Sequence, residues 1–373
     1  MFKKILKIAA IVLGAVIVIV LGYVAYVFLS FSRIEDGLEL SVQNAPAGAP
    51  YGAEIYGELI PAVPLDEELT VVSYNIGFGD YSDDYTFFMD GGKESRAFSK
   101  EAVYENIGGA METVRGYTPD FALIQEVDIN GTRSYHVDER SLVVPGIAAR
   151  RSYAYTFAQN YNSPYLMYPI TKPHGANQAG IMTFSAFTVT GATRISLPIE
   201  TGFSKVLDLD RCYSKSRVPV EGGTELVVYN LHLSAYTSDP MTAETQLDML
   251  VKDMQAEYDA GNYCIAGGDF NRDLLGDSPA IFHTAVLDDN WAAPVNMDLF
   301  TDDITLVAPF NEAAPKASCR NPDKPYEEGD FVVTVDGFIK SANVTVVESD
   351  VIDTGFKYSD HNPVYMNFIL DRE

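Results

Sequence analysis

Two short segments concentrate the chemistry-bearing residues of this chain: Gly267-Gly268-Asp269-Phe270-Asn271 and Ser359-Asp360-His361-Asn362-Pro363. The first leaves the apolar run Tyr263-Cys264-Ile265-Ala266, and the second follows a polar loop. Asn75, Glu126, Asn230, His232 and Asp336 likewise sit within or at the end of apolar segments. Carboxylates rarely enter such positions uncompensated, because burying a charge is costly. A shared divalent cation and a hydrogen-bonded network remove that penalty. Carboxylates, carboxamides and imidazoles at strand ends suit a Mg²⁺-assisted attack of water on a phosphoester.

Each residue also has a plain structural reading. Asp269-Phe270-Asn271 would serve as a strand-to-turn corner, since Asp and Asn favour turns. Glu126 would pair with an arginine, His232 would be a satisfied core histidine, and Asp336 before Gly337 would mark a bend. Ser359-Asp360 would cap a turn, and Asn75 would brace its own loop. All of these would have to hold at once, so a shared site is the simpler expectation. His136 and His283 are read as structural or surface residues. His174, in Lys172-Pro173-His174-Gly175-Ala176-Asn177, is a lesser candidate for substrate contact.

The elements that must position these groups are legible from pattern. Strands are expected over 69–75, 119–126, 153–157, 180–187, 225–233, 263–268, 331–341 and 364–369. Helices are expected over 100–115, closed by Gly116, and over 242–258. The second helix puts Leu247, Leu250, Val251 and Met254 on one face. A long loop, 77–98, carries Tyr81, Tyr85, Phe87 and Phe88. Strands outnumber helices and arrive in two sets, each with helix between strands. Two sheets packed together with helices outside follow from that pattern.

Ile8 to Ser32 carries no charge. As a helix at about 1.5 Å per residue it crosses a roughly 30 Å hydrocarbon layer with some tilt. The apolar run exceeds the length usual for a cleaved signal, and Phe28-Leu29-Ser30-Phe31-Ser32 makes a poor cleavage site. Lys3, Lys4 and Lys7 mark the cytoplasmic end, which places the rest outside the cytoplasm. Gln43 to Pro64 is rich in proline and glycine and reads as a stiffened tether. The expected organisation is a single-pass anchor over 1–34, an extracytoplasmic linker over 35–68 and a catalytic domain over 69–373.

The formal net charge is −26, and the first 34 residues hold four basic groups and no acid. The remainder sets 22 basic against 52 acidic residues, a balance of −30. Such a surface repels polyanions and lacks the basic footprint of a sequence-independent DNA binder. The one loose basic stretch holds Lys172, Arg194, Lys205, Arg211, Lys215 and Arg217. No CxxC occurs among Cys212, Cys264 and Cys319, so zinc is not indicated. Cys264 is expected to be buried, and Cys212 and Cys319 are open to pairing in an oxidising compartment.

Six segments, in order, resemble the motif set of the endonuclease/exonuclease/phosphatase superfamily, which includes DNase I-like nucleases, neutral sphingomyelinases and inositol polyphosphate 5-phosphatases. They are Ser73-Tyr74-Asn75-Ile76, Leu123-Ile124-Gln125-Glu126-Val127, Tyr229-Asn230-Leu231-His232-Leu233, Gly267-Gly268-Asp269-Phe270-Asn271, Val335-Asp336-Gly337-Phe338-Ile339 and Tyr358-Ser359-Asp360-His361-Asn362-Pro363-Val364. The resemblance implies an α/β (α+β) fold, a four-layered α/β sandwich of two mixed β-sheets face to face with flanking helices, here preceded by a transmembrane helix. It implies Mg²⁺, with Mn²⁺ as a substitute, at Glu126, with Asn75 and Asp360 on the metal side. Asp269 would orient or deprotonate the attacking water, and Asn271 would help hold water or phosphate. His232 and His361 would contact phosphate oxygens, with Asp336 behind His361. Three departures bear on substrate choice: no arginine follows Ser185, Gly337 replaces a bulkier residue, and the 77–98 loop is long.

The expected function is a membrane-anchored, metal-dependent phosphoric ester hydrolase acting on a lipid headgroup or small molecule. The anchor, the acidity and the aromatic segments 81–88 and 153–168 favour that substrate class. An extracellular DNase I-like nuclease is the competing enzyme, and a tethered binding module with a degenerate site is the reading of a different class. No protein partner is expected.

Overall fold

The structure, a computed structural model, describes residues 2–52, 58–199, 210–235, 240–288 and 290–372. In chain order the elements are α1 (Phe2–Ser30), β1 (Leu38–Glu39), β2 (Gln43–Ala45), β3 (Glu68–Asn75), α2 (Lys100–Gly116), β4 (Phe121–Gly131), α3 (Arg140–Ile147), β5 (Tyr153–Asn162) and β6 (Asn177–Ser185). There follow β7 (Gly191–Ser196), β8 (Cys212–Pro219), β9 (Glu225–His232), α4 (Pro240–Asp259), β10 (Tyr263–Asp269), α5 (Ser278–Phe282), β11 (Ile304–Val307), β12 (Cys319–Arg320), β13 (Val332–Val333), β14 (Asp336–Ser341), β15 (Val344–Val351) and β16 (Val364–Leu370).

Two seven-stranded mixed sheets form the body, in the orders β15-β16-β3-β4-β6-β5-β2 and β1-β7-β8-β9-β10-β14-β11. Period-two alternation stacks them. On β9, Leu226 and Val228 join the core shared with the first sheet, whereas Val227, Tyr229 and Leu231 pack with Leu247, Leu250, Val251 and Met254 of α4. On β10, Ile265 faces inward, and Cys264 and Ala266 face α4. Val103, Ile107, Met111 and Val114 of α2 cover the other sheet together with Val143, Val144 and Ile147 of α3. The layers therefore run helix, sheet, sheet, helix, as the motif resemblance implies.

Several expectations change. The segment read as a linker, 35–68, docks on the body: Leu38 and Glu39 pair with β7, and within the part read as a tether Gln43 to Ala45 pair with β5 and Val63 is fully buried. Proline and glycine bar long strands there but permit two- and three-residue edge strands; residues 53–57 of that segment lie outside the described set. The single strand expected over 331–341 is two strands, β13 pairing with β12 and β14 with β10. The basic stretch contains β8, whose Lys215 and Arg217 face acids of α4 and so hide the alternation. Helix α3 carries Pro145 and lacks a helix-forming composition. Tyr81, Tyr85 and Phe87 pack on one another in the core rather than facing solvent, and Tyr153 and Tyr155 are core strand residues. The three cysteines are free and buried.

α1 is the one helix among the described residues long and apolar enough to cross a membrane. Before Val27, near its end, its side chains are exposed except for the half-buried Tyr23.

Neighbouring glycines of α2 give a test of the packing. A Cβ on Gly108 meets nothing within 4 Å, whereas one on Gly109 would stand 2.2 Å from the Tyr358 ring. Tyr358 leads directly into Ser359-Asp360-His361. Gly108→Ala is expected to stabilise by about 1 kcal/mol through helix propensity. Gly109→Ala is expected to destabilise by about 1–3 kcal/mol through overpacking. Urea midpoints of the two variants check this; equal shifts of one sign would contradict the α2–Tyr358 contact.

Candidate active site

Strand register aligns the first three site residues. β9 and β10 are parallel and place His232 opposite Asp269; β10 and β14 are antiparallel and place Asp269 opposite Asp336. Parity sends all three side chains to the inner face, because Val228, Ile265 and Phe338, two or four residues away on the same strands, lie in the inter-sheet core. The glycines before Asp269 have a steric cause. A Cβ on Gly267 would meet Leu123 of the facing sheet at 2.8 Å, and one on Gly268, at φ +150°, would stand 2.0 Å from the Leu231 carbonyl oxygen.

Asp269 is the meeting point. Its Oδ2 accepts from Asn75 Nδ2 at 3.1 Å, lies 3.3 Å from His232 Nε2 and 3.8 Å from His361 Nε2. Its Oδ1 accepts the Asn271 backbone N–H at 2.8 Å. Asn271 itself turns in the left-handed region at φ 51°, and its Nδ2 donates to the Leu233 carbonyl. Asn tolerates that conformation better than other L residues with a Cβ. His361 Nδ1 lies 2.7 Å from Asp336 Oδ2, and the Asp336 backbone N–H donates to Ser318 Oγ at 3.0 Å. Asn75 reaches this cluster from the first sheet, and Ser359 Oγ donates to the Asn75 carbonyl at 2.8 Å.

Glu126 and Asp360 stand at the flank rather than in that cluster. Asn75 pairs with Gln125 across β3 and β4, so Glu126 follows at the neighbouring strand end. A register irregularity between Ile124 and Val127, with φ +58° at Glu126, re-aims the glutamate. Bulges of this kind recur beside functional sites, and a positive φ on a non-glycine residue is held only by its surroundings. Arg133 supplies part of that hold: its NH1 lies 3.2 Å from Glu126 Oε2 and its NH2 2.8 Å from Asp128 Oδ1. The guanidinium also lies 4.3 Å from the Phe78 ring centroid.

The charges are strongly perturbed. Burial pushes Asp269 up to about 7, against the opposing pull of the His361 charge and with the Asp336 charge adding to the rise. Burial raises Asp360 to about 6; His361 and Arg320 oppose this, and Glu126 adds to it. Burial disfavours protonated His361, but Asp336, Cys319 and Asp269 together raise it well above the usual imidazole range. His232 is driven well below that range by burial, with Arg211, His361 and Arg133 acting in the same sense. The cleft thus holds one cationic and one neutral imidazole around one carboxyl group.

Two groups of residues compare differently as cation ligands. Ligand atoms of Asp269, Asp336 and His361 lie within 4.8 Å of one another. There the His361 ring and Asp336 already satisfy each other, and imidazole is a softer donor than Mg²⁺ or Ca²⁺ selects. Glu126, Asp360 and Asn75 offer only oxygen for a metal. Asn75 Oδ1 accepts the Gly77 N–H at 3.0 Å and keeps a second lone pair. Two carboxylates with unfavourable mutual charge and hard oxygen atoms are the donor type a divalent cation takes, although Glu126 Oε2 also faces Arg133 at 3.2 Å.

Other residues also build the site. Asn230, counted with the polar constellation, ties the sheets together: it accepts from Gln125 Nε2 at 2.8 Å and donates to the Met182 carbonyl at 2.8 Å. Ser318 Oγ accepts the Val335 and Asp336 N–H groups, Ser359 Oγ accepts the His361 N–H, and Arg320 donates to the carbonyls of Tyr81, Ser82 and Tyr85. Ser318 and Arg320 lie outside the six motifs and carry no pattern that would have singled them out. His174 is buried between Phe87 and Phe88 with Nδ1 2.8 Å from the Ser95 carbonyl, a structural position. His136 and His283 are exposed.

Residues 72–361 match the Endonuclease/Exonuclease/phosphatase family. The chain belongs to that family. Solved structures repeat the fold at low identity. An endonuclease/exonuclease/phosphatase from Beutenbergia cavernae is 17% identical, with 82% of this chain and 72% of that one covered, at TM-score 0.54. The structure of ANGEL2, described as a 2′,3′-cyclic phosphatase, is 13% identical, with 90% and 99% covered, at TM-score 0.51. An endonuclease/exonuclease/phosphatase family protein from Bacteroides thetaiotaomicron is 15% identical, with 82% and 99% covered, at TM-score 0.50. No curated protein matches the chain. Members of the endonuclease/exonuclease/phosphatase family are typically phosphoester hydrolases and commonly use divalent metal ions.

The raised carboxyls give a pH dependence with a definite sign. Between the ordinary aspartate value of 3.8 and about 7 for Asp269, and about 6 for Asp360, the folded cation-free chain binds more protons than the unfolded chain. Stability then falls as pH rises through that window. A divalent cation at the flank offsets the ionised carboxylates, so its stabilisation should grow over the same range. Thermal unfolding at about pH 5 and about pH 8, each with EDTA or Mg²⁺, checks this; an Mg²⁺ increment unchanged by pH would contradict it.

Proposed function

We propose that this chain is a membrane-anchored, Mg²⁺-dependent phosphoesterase that hydrolyses a phosphodiester or phosphomonoester of a lipid or small molecule by attack of water at phosphorus. The convergence on Asp269 Oδ2 of Asn75, His232 and His361, from two sheets and a loop, carries this reading.

Asp269, raised to about 7, is matched to taking a proton from the attacking water near neutral pH. Asn75 and the Asn271 N–H fix its two oxygens, so the base is oriented before water arrives. His361, held cationic by Asp336, directs Nε2 into the cleft as a charged donor for a phosphoryl oxygen. His232, kept neutral, is a second donor, and Asn271 helps position water or phosphate. Mg²⁺ held by Glu126, Asp360 and Asn75, with Mn²⁺ as a substitute, would supply Lewis-acid polarisation and neutralise charge on the phosphoryl group.

The disposition of basic residues favours a lipid or small molecule over a polynucleotide. Lys172 pairs with Glu94, Arg194 with Asp210, Lys215 with Asp253 and Glu257, and Arg217 with Glu225 and Glu257. Lys205 lies outside the described residues. These pairs cancel much of the positive field a nuclease groove needs. α1 supports anchoring by its length and composition, with Lys3, Lys4 and Lys7 on the cytoplasmic side and the catalytic domain outside the cytoplasm.

Asp269→Asn and His361→Ala should each lower turnover by about 10²–10⁴-fold with the fold kept, the range removed with a general base or a charge-stabilising donor. Glu126→Gln should instead raise the Mg²⁺ concentration needed for half-maximal rate. Near-normal rates in the first pair, or an unchanged metal titration in the third, would overturn the assignments. The substrate class is tested by assaying full-length protein with Mg²⁺ on sphingomyelin, phosphoinositides, simple phosphate esters, DNA and RNA. Preference for either nucleic acid would favour the nuclease. Ligand binding without any turnover would favour the binding module.

A further inference from the structure

The loop between β5 and β6 breaks the usual rule for exposed loops. At its tip, Met167, Tyr168 and Ile170 are 48%, 68% and 84% exposed, and Tyr165 is 39% exposed. Four large apolar or aromatic side chains within six residues, with no charge among residues 162–171, form an exposed patch of the kind that marks an interaction surface.

The occupant is indicated by what the loop already touches. Tyr23 Oη of α1 accepts the Met167 N–H at 2.9 Å and donates to the Tyr165 carbonyl at 3.2 Å. Tyr26 Oη accepts the Tyr165 N–H at 3.2 Å. The loop is therefore fixed alongside the last two turns of the apolar helix, at the level of its two tyrosines. Tyrosines favour the membrane–water boundary. From Lys7 to Tyr26 the helix rises roughly 29 Å, close to the thickness of a hydrocarbon layer. With Lys7 at one boundary, Tyr23 and Tyr26 fall at the other, and so does the loop.

The geometry points to the 164–171 loop as a second membrane element, a wedge whose Met167, Tyr168 and Ile170 enter the interfacial layer of the bilayer that α1 crosses. This rests on the anchor reading and adds to it a fixed orientation of the catalytic domain. The wedge is tied to the lip of the cleft. Tyr168 lies 5.6 Å from the Phe88 ring, Lys172 pairs with Glu94, the Lys172 carbonyl accepts from Ser95 Oγ, and Arg96 Nε donates to the Pro173 carbonyl at 2.6 Å. Residues 77–98 thus link the wedge to Tyr81, whose hydroxyl feels the charges of both Asp360 and Glu126. A loop seated in the headgroup layer holds that lip at the membrane surface, where a lipid headgroup reaches the cleft without the lipid leaving the bilayer.

The test uses the full chain with Ile170→Cys, the three native cysteines being buried, labelled with an environment-sensitive NBD fluorophore and reconstituted into phosphatidylcholine vesicles. Met167→Cys is the second labelling position, and thermal unfolding matching wild type checks that each variant is folded. The wedge is supported if the vesicles carry the protein on flotation, NBD emission shifts to the blue, and doxyl-labelled lipid quenches it several-fold more than aqueous iodide. Flotation with iodide-dominated quenching at both positions overturns the wedge and leaves the anchor standing. Failure to float overturns the anchor reading and the wedge with it.

Discussion

A carboxyl group inside a two-sheet core must be compensated, and Asp269 is where this protein meets that constraint. Its Oδ2 gathers an amide from one sheet, an imidazole from the other and a second imidazole from the loop before β16. Removing one partner from a buried charged group generally costs about 3–5 kcal/mol. The sheets therefore cannot slide or part without exposing an unpaired group. The same constraint that makes this end of the sandwich demanding to fold also makes it rigid.

That rigidity is directed toward chemistry. A base works best when its affinity for a proton is close to the working pH and its geometry is fixed beforehand. Burial raises Asp269 into that range, and the Asp336–His361 pair prevents the neighbouring imidazole from losing its charge. The two histidines shift in opposite senses: Asp336 against Nδ1, with Cys319 and Asp269, outweighs burial at His361, whereas burial and the charges of Arg211, His361 and Arg133 act together on His232, whose Nδ1 has no hydrogen-bond partner among the described residues. Two identical side chains a few ångströms apart are thereby set to different protonation states.

Support for the site extends well beyond the polar residues themselves. Glycines at 267 and 268 let the sheets and neighbouring strands approach where any side chain would collide. Asn230 and Gln125 bridge the sheets beneath the cleft, Ser318 fixes the Asp336 backbone, and Ser359 anchors the loop that presents His361. The stretch expected to be a linker instead closes one edge of each sheet, and just before it Arg33 converges with Arg194 on Asp210. The apolar helix is thereby joined to the catalytic body by hydrogen bonds and ion pairs as well as by the chain.

Local sequence contained the apolar runs of β3, β9 and β10, the apolar face of α4, the length of α1 and the six ordered polar motifs, because those signals arise from neighbours a few residues apart. It did not contain β8, whose outward Lys215 and Arg217 look like a basic surface until the acids of α4 face them, nor the docking of residues 38–45, whose edge strands exist only because β5 and β7 offer unpaired backbone. Protonation states and the seat of the 164–171 loop against Tyr23 and Tyr26 depend on groups remote in the chain. Residue types and their order determined which chemistry this protein can hold. Distances and burial, set only when the sheets close, decided which carboxyl is poised to take a proton and which imidazole carries charge.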